Sequence, residues 1–175
     1  IIIGQNTFVN DTPSLTVRFD DFDENIIKLF ANKDYTLSGY TNYFLESLLQ
    51  NTSKEHHSPL RIVLGLPEFL NKDIEFFNSS NYLFFDTEVN YKNLIQRQPE
   101  IKNLLENNIV CVSAVNNSLL NLEDIMKILF ERGIQFAMIE GGSILNGAFF
   151  DAGYIDQFLY SISPKIIGDG LFPLQ

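Results

Sequence analysis

The sequence predicts an α/β domain built on a mostly parallel central sheet flanked by helices. Short apolar runs rich in β-branched and aromatic residues recur along the chain with amphipathic stretches between them. One of those stretches carries both a start and a stop signal for a helix. A strand, a Gly-Gly turn and a second helix then follow within about 30 residues of the preceding strand, a spacing that calls for a right-handed parallel crossover.

Ile1 to Gly4 reads as a strand already under way; with no initiating Met and no closing element at the far end, the chain is expected to be a single domain, 1–175, excerpted from a larger protein whose preceding elements are absent. Thr7 and Asp11 are four apart, so a helical turn after that strand puts them on one face. Pro13 ends such a turn and sends Leu15-Thr16-Val17-Arg18 into an extended path. Phe19 to Pro59 holds two possible helices, Ile26 to Ala31 and Tyr43 to Leu49, then the polar tract Gln50 to Ser58, read as a solvated loop. His56 and His57 lie in it. Being adjacent they point to different faces, with no Cys or carboxylate at a metal spacing, and no metal is assigned.

Further strands are expected at Arg61 to Leu64, Tyr82 to Phe85, Ile109 to Ser113, Phe136 to Ile139 and Gln157 to Ser163. Pro99 splits Tyr91 to Glu106 into a poorer and then a better helical half. Leu122 to Arg132 is the clearest helix: Asn121 can cap it, Glu123 and Asp124 occupy its first turn, Ile125, Ile128 and Leu129 share a face, and Gly133 stops it. Another helix is expected over Ser143 to Phe150.

Composition narrows the function. The 175 residues are 45% hydrophobic, enough for a packed core. Twelve Lys and Arg against 22 Asp and Glu leave a net charge of -10, which repels polyanions, so nucleic acid is not expected as a partner. No apolar run reaches the length of a membrane span. Cys111 is alone, so there is no internal disulfide, and a reducing compartment, the cytoplasm, is expected. With 16 Phe some stay exposed, and a homo-oligomer is expected.

Two stretches can carry chemistry. In Met138-Ile139-Glu140-Gly141-Gly142-Ser143 the glycine pair lets backbone approach a ligand closely, and the following helix offers its first amides and dipole to an anion such as a pyrophosphate. Glu140 then stands at the carboxyl edge of the sheet, where open α/β sheets bind ligands. The alternative is a plain tight turn beside a solvated rim charge. In the Thr7 to Arg18 stretch, a hydroxyl, the Asp11 carboxylate and the Arg18 guanidinium converge beside the strand end, and Arg18 can fork onto a phosphate. Alternatively Asp11 caps the turn, and Arg18 pairs with Asp20 or Asp21.

Together, Thr7, Asp11, Pro13, Leu15 and Arg18 with the distant Ile139-Glu140-Gly141-Gly142, Leu145, Phe149, Asp151-Ala152-Gly153, Asp156, Tyr160 and Pro164-Lys165-Ile166-Ile167-Gly168 resemble the reductase domain of riboflavin biosynthesis, usually the C-terminal half of a bifunctional deaminase-reductase. The likeness spans most of Ile1 to Gly170. It implies a dihydrofolate-reductase-like fold, NADPH as cofactor, and a phosphorylated ribosylaminopyrimidine, 5-amino-6-(5-phosphoribosylamino)uracil, as the substrate reduced to its ribityl form. It also implies an N-terminal zinc deaminase domain as a partner in the full-length protein. Carried over, Thr7 and Asp11 match cofactor contacts, and Gly142, Ser143, Ile144, Leu145, Asn146, Gly147 and Ala148 match the segment around the cofactor's phosphates. Leu15, Arg18 and Glu140 match substrate contacts. Glu140 is the first candidate to stabilise the cationic imine that accepts hydride, with Asp11 second. Where the family reads Val-Leu-Asp-Ser, this chain has Val63-Leu64-Gly65-Leu66, without the hydroxyl. The alternatives are a related reductase of a pterin or pyrimidine ring, and a catalytically impaired cofactor-binding or assembly domain.

Overall fold

The computed structural model describes residues 1–16, 59–116 and 119–159. The chain divides into two compact units: Ile1–Ser14 with Leu60–Gln175, and Leu15–Pro59. All but the ends of the second, including Arg18, the helices expected at Ile26 to Ala31 and Tyr43 to Leu49, and the tract with His56 and His57, lies outside the described residues.

The first unit is a parallel sheet of β1 (Ile2–Gly4), β2 (Arg61–Leu64), β3 (Tyr82–Asp86) and β4 (Ile109–Cys111), in spatial order β1-β2-β3-β4. Ile2 pairs with Ile62, Ile62 with Leu83, and Phe84 with Ile109. Every residue of β2 and β3 is buried, as befits the middle of a sheet covered on both faces. Side chains alternate between those faces. Ile2, Ile62, Leu64, Leu83 and Phe85 pack with Ile125, Leu129 and Phe149. On the other face Phe8 of α1 (Gln5–Asp11) meets Phe76 and Phe84 edge to face, with ring centroids 5.0 and 5.4 Å apart.

Helices α2 (Glu88–Arg97), α3 (Lys102–Leu105), α4 (Leu122–Glu131) and α5 (Ser143–Asp151) complete this unit's described elements, together with single 3-10 turns at Glu75–Asn78 and Pro99–Ile101. Helix α4 begins as its sequence predicts: the Asn121 side chain accepts from the Glu123 and Asp124 amides, and Gly133 follows its end at φ +79°. No helix among the described residues is long and apolar enough to cross a membrane.

Four expectations change. The strand at Phe136 to Ile139 shrinks to a single parallel bridge, Ile2 to Ile139, with the Ile2 N–H donating to Met138 O at 2.8 Å and the Glu140 N–H to Ile2 O at 2.9 Å. Its only described neighbour, β1, is three residues long and turns into α1 at Gly4, so no longer ladder is available. The better helical half lies before Pro99: Thr87 caps α2 by accepting from the Asn90 N–H at 3.2 Å, Glu88 and Lys92 form an i,i+4 pair at 2.7 Å, and the half after Pro99 is one turn. Leu15, at φ 51°, is not extended. Gln157, Phe158 and Leu159 join no ladder; the rest of that expected strand lies outside the described residues.

Among the described residues of this unit three polar side chains are buried. Arg61 donates to the carbonyls of Ser14, Phe76, Ser79 and Asn81 and stacks 4.5 Å over the Phe76 ring. Gln98 clasps Leu70, accepting from its N–H at 2.8 Å and donating to its carbonyl at 3.3 Å. Asp86 lies at the end of β3.

Candidate functional site at the carboxyl edge

Because all four strands and the Ile139 bridge run parallel, their carboxyl ends fall on one edge, in the order Glu140, Gly4, Gly65, Asp86 and Cys111. Two helices start there. Helix α1 begins at Gln5, directly after β1, and α5 begins at Ser143, after Glu140, Gly141 and Gly142. Their closeness depends on glycine. Leu145, in the first turn of α5, comes so near Gly141 that an added Cβ would lie 2.7 Å from its Cδ2, and a Cβ on Gly4 would touch the same atom at 3.8 Å. The Asn146 amide nitrogen donates to Gly141 O at 3.0 Å and fastens the turn from the other side.

Gly142 is the contrasting case. It is the N-cap of α5, with no side chain capping the helix, and a Cβ placed on it would meet nothing within 4 Å. The first-turn amides of a helix have no acceptor within the helix, and at the entrance to these the space beside Gly142 is open. An exposed carboxylate, Glu140, stands two residues away. The open start of such a helix can take a phosphate or pyrophosphate, and the residues present fit the phosphate bridge of a dinucleotide.

The residues singled out from sequence are placed unevenly. Glu140, Gly142, Ser143 and Ile144 lie at the edge; Leu145 and Asn146 are half-buried, holding the turn. Gly147 is buried on the core side of α5 and Ala148 is half-buried one turn in, so these two pack rather than face the opening. Thr7 is half-buried early in α1. Asp11 is exposed at that helix's far end, about 9 Å along the axis from Gln5. The expected convergence at the strand end therefore includes Thr7 but not Asp11, because α1 runs for seven residues rather than one turn. Leu15 belongs to the second unit and Arg18 is outside the described residues.

The sequence reading missed two residues at the edge. Gln5 lies over Gly65, where a Cβ would come within 3.1 Å of the Gln5 Cβ and Oε1. Asp86, the polar end of the otherwise apolar Tyr82-Leu83-Phe84-Phe85, is the other; a charge closing so apolar a strand was the available signal. Further along, Cys111 is exposed. Partial burial, then the nearby Glu88 and Asp86 carboxylates, push its thiol above the ordinary pKa. An open hollow of about 310 Å³ beside it is lined by Ser113, Asp124, Lys127 and Glu131. Ser113 Oγ there donates to Asp124 at 2.6 Å and accepts from Asn121, which caps α4.

Comparison with known proteins places these features in a family. A model of the RibD C-terminal domain matches residues 1–174. The chain is 21% identical over 174 residues to the 5-amino-6-(5-phosphoribosylamino)uracil reductase of Buchnera aphidicola subsp. Acyrthosiphon pisum, covering 99% of this chain and 70% of that protein. It is 25% identical over 169 residues to the riboflavin biosynthesis protein RibD of Haemophilus influenzae, covering 97% of this chain but 37% of that protein. A 51-residue stretch is 41% identical to RibD of Aquifex aeolicus, which is 29% of this chain and 14% of its counterpart.

Proposed function

The chain belongs to the RibD C-terminal domain family, and from that premise we propose that it uses NADPH to reduce 5-amino-6-(5-phosphoribosylamino)uracil to the ribitylamino compound in riboflavin biosynthesis. One observation carries the proposal: the open amide turn at Gly142 stands beside the Glu140 carboxylate on the sheet edge where α1 also begins. The name of the Buchnera relative supports the same reaction.

When bound, the dinucleotide supplies a hydride. The substrate's ribosylamine must first open to an imine, which accepts hydride at the former anomeric carbon once its nitrogen is protonated. The new C–H bond takes the hydride's electron pair, and the C=N π pair returns to nitrogen, leaving a neutral secondary amine. One hydride and one proton are consumed. The first-turn amides of α5, with Gly142 at their entrance, bind the pyrophosphate. Glu140 presents its negative charge to the iminium and lowers the cost of forming it. Thr7 lies on the α1 side of the same edge. Leu15 and Arg18 hold the phosphorylated sugar by family resemblance, fixing the distance of the acceptor carbon.

The test is a spectrophotometric assay of NADPH consumption by the full-length protein with this substrate. Glu140→Gln is expected to lower kcat about a hundredfold while leaving the NADPH Kd nearly unchanged. An unaltered kcat removes Glu140 from the mechanism, and a wild-type protein that consumes no NADPH overturns the proposal.

A further inference from the structure

We infer that Asp86 is a positioning residue for the dinucleotide subsite, setting the Gly65–Leu66 turn through a buried carboxylate at the sheet's carboxyl edge. The inference rests on the reductase reading and adds to it a residue that the family resemblance does not mark. Asp86 is 2% exposed, and both of its oxygens are engaged. Oδ1 accepts from the Thr87 N–H at 2.6 Å and from the Asn90 side-chain amide at 2.7 Å. Oδ2 accepts from the Leu66 N–H at 2.5 Å. No ion pair neutralises it among the described residues.

These contacts differ in what they hold. The Thr87 and Asn90 bonds are local and start α2, as an ordinary cap does. The Leu66 bond crosses from the end of β3 to the turn after β2. The preceding amide, Gly65 N–H, is taken by Phe85 O at 2.9 Å, so β3 grips two consecutive amides of that turn. Gly65 has φ +94°, a conformation that side-chain-bearing residues rarely adopt, and Gln5 at the start of α1 packs over it. Asp86, Leu66, Gly65 and Gln5 thus form one run of contacts along the edge.

That run lies on the same edge as the start of α5, within reach of a dinucleotide held there. Adjacent strand ends are about 4.8 Å apart, which puts the Gly65 turn about 10 Å from the Glu140 end of the neighbouring bridge, across Gly4, with α5 beginning just beyond Glu140. A nucleoside arm extending from a pyrophosphate at α5 covers that distance when laid along the edge. At the turn Leu66 is buried and Gly65 is half-buried, so it is the side-chain-free Gly65 that can present backbone to it. A backbone surface recognises a ligand only as well as it is held, and the Asp86 carboxylate holds this one with a charge-assisted bond.

The experiment uses the full-length protein and three variants. Asp86→Asn keeps the shape but leaves one acceptor oxygen for three donors, and the NADPH Kd, read by fluorescence titration, is expected to rise about tenfold. kcat at saturating NADPH and the substrate KM stay within about twofold. Asp86→Glu keeps the charge but displaces it and is expected to raise the Kd similarly, which covers failure of the first variant to fold. Asn90→Ala removes a donor to the same carboxylate without touching Leu66 and is expected to leave the Kd within about twofold. In the ligand-free protein, the Leu66 amide should exchange hydrogen faster in Asp86→Asn than in wild type or Asn90→Ala. An unchanged Kd in both Asp86 variants overturns the inference alone, as does an equal rise in Asn90→Ala. A wild-type protein that binds no NADPH overturns the reductase reading and this inference with it.

Discussion

A guanidinium in a hydrocarbon core is stable only where its hydrogens are met, and Arg61 meets them with carbonyls: Phe76 at 2.7 Å, Ser79 at 3.0 Å, Ser14 at 3.2 Å and Asn81 at 3.3 Å. Burial, opposed by Tyr82, lowers its pKa from the ordinary value. The planar fork can reach four oxygens in different directions, whereas an ammonium on a single stem cannot. Arg61→Lys is therefore expected to destabilise the protein by roughly 3 kcal/mol through stranded acceptors, read as a lower urea midpoint with an unchanged slope. An unshifted midpoint would mean that water replaces the lost donors. The sequence shows Arg61 only as the first residue of an apolar strand, because its partners come from loops whose approach no periodicity encodes. Glu140 and Gly142 were legible for the opposite reason: their positions follow from a local strand-turn-helix order.

The start of α5 sets two neighbouring glycines to different tasks. Gly141 has Leu145 2.7 Å from where a Cβ would stand, so Gly141→Ala must displace a core side chain and should cost about 1–3 kcal/mol. Gly142 has open space and an ordinary extended conformation, so Gly142→Val should change stability by less than about 1 kcal/mol. It should nevertheless weaken NADPH binding about tenfold, since the added branch occupies the approach to the amides. Urea unfolding and a cofactor titration on both variants separate the roles; undiminished affinity in Gly142→Val would remove the phosphate assignment. At this scale the sequence was legible where signals are local, as with Asn121 and Gly133 around α4. It misled where a neighbour decides, as with Phe136 to Ile139, whose ladder is limited by a three-residue β1, and with the helices around Pro99, where the Thr87 cap and the Glu88–Lys92 pair favour the first half.

At the scale of the whole molecule, the sheet's parallel class was readable from apolar runs separated by helices, while the order and register of its strands required the structure. The chain spans 37% of the Haemophilus relative, and for the full-length protein the family resemblance implies a further, zinc deaminase domain. About one zinc per chain by atomic absorption is the expected outcome; a metal-free full-length protein would reject that arrangement. The parallel pairing of the described strands has one further consequence, for the order in which the molecule forms. No two of its four described strands can join through a hairpin, so each pairing waits for a loop to close. Ile62 finds Leu83, and Phe84 finds Ile109, across short stretches of chain. Ile2 must find Ile62 from much further away and Ile139 from further still. Long closures are slow, so β2, β3 and β4 are expected to assemble first, and β1 and the Ile139 bridge, which bring α1 and α5 to the edge, afterwards. Pulsed hydrogen exchange during refolding should protect the Phe84 amide before those of Ile2 and Glu140, and simultaneous protection would reject this order. On this order the protein acquires the middle of its sheet before it acquires a place to bind anything.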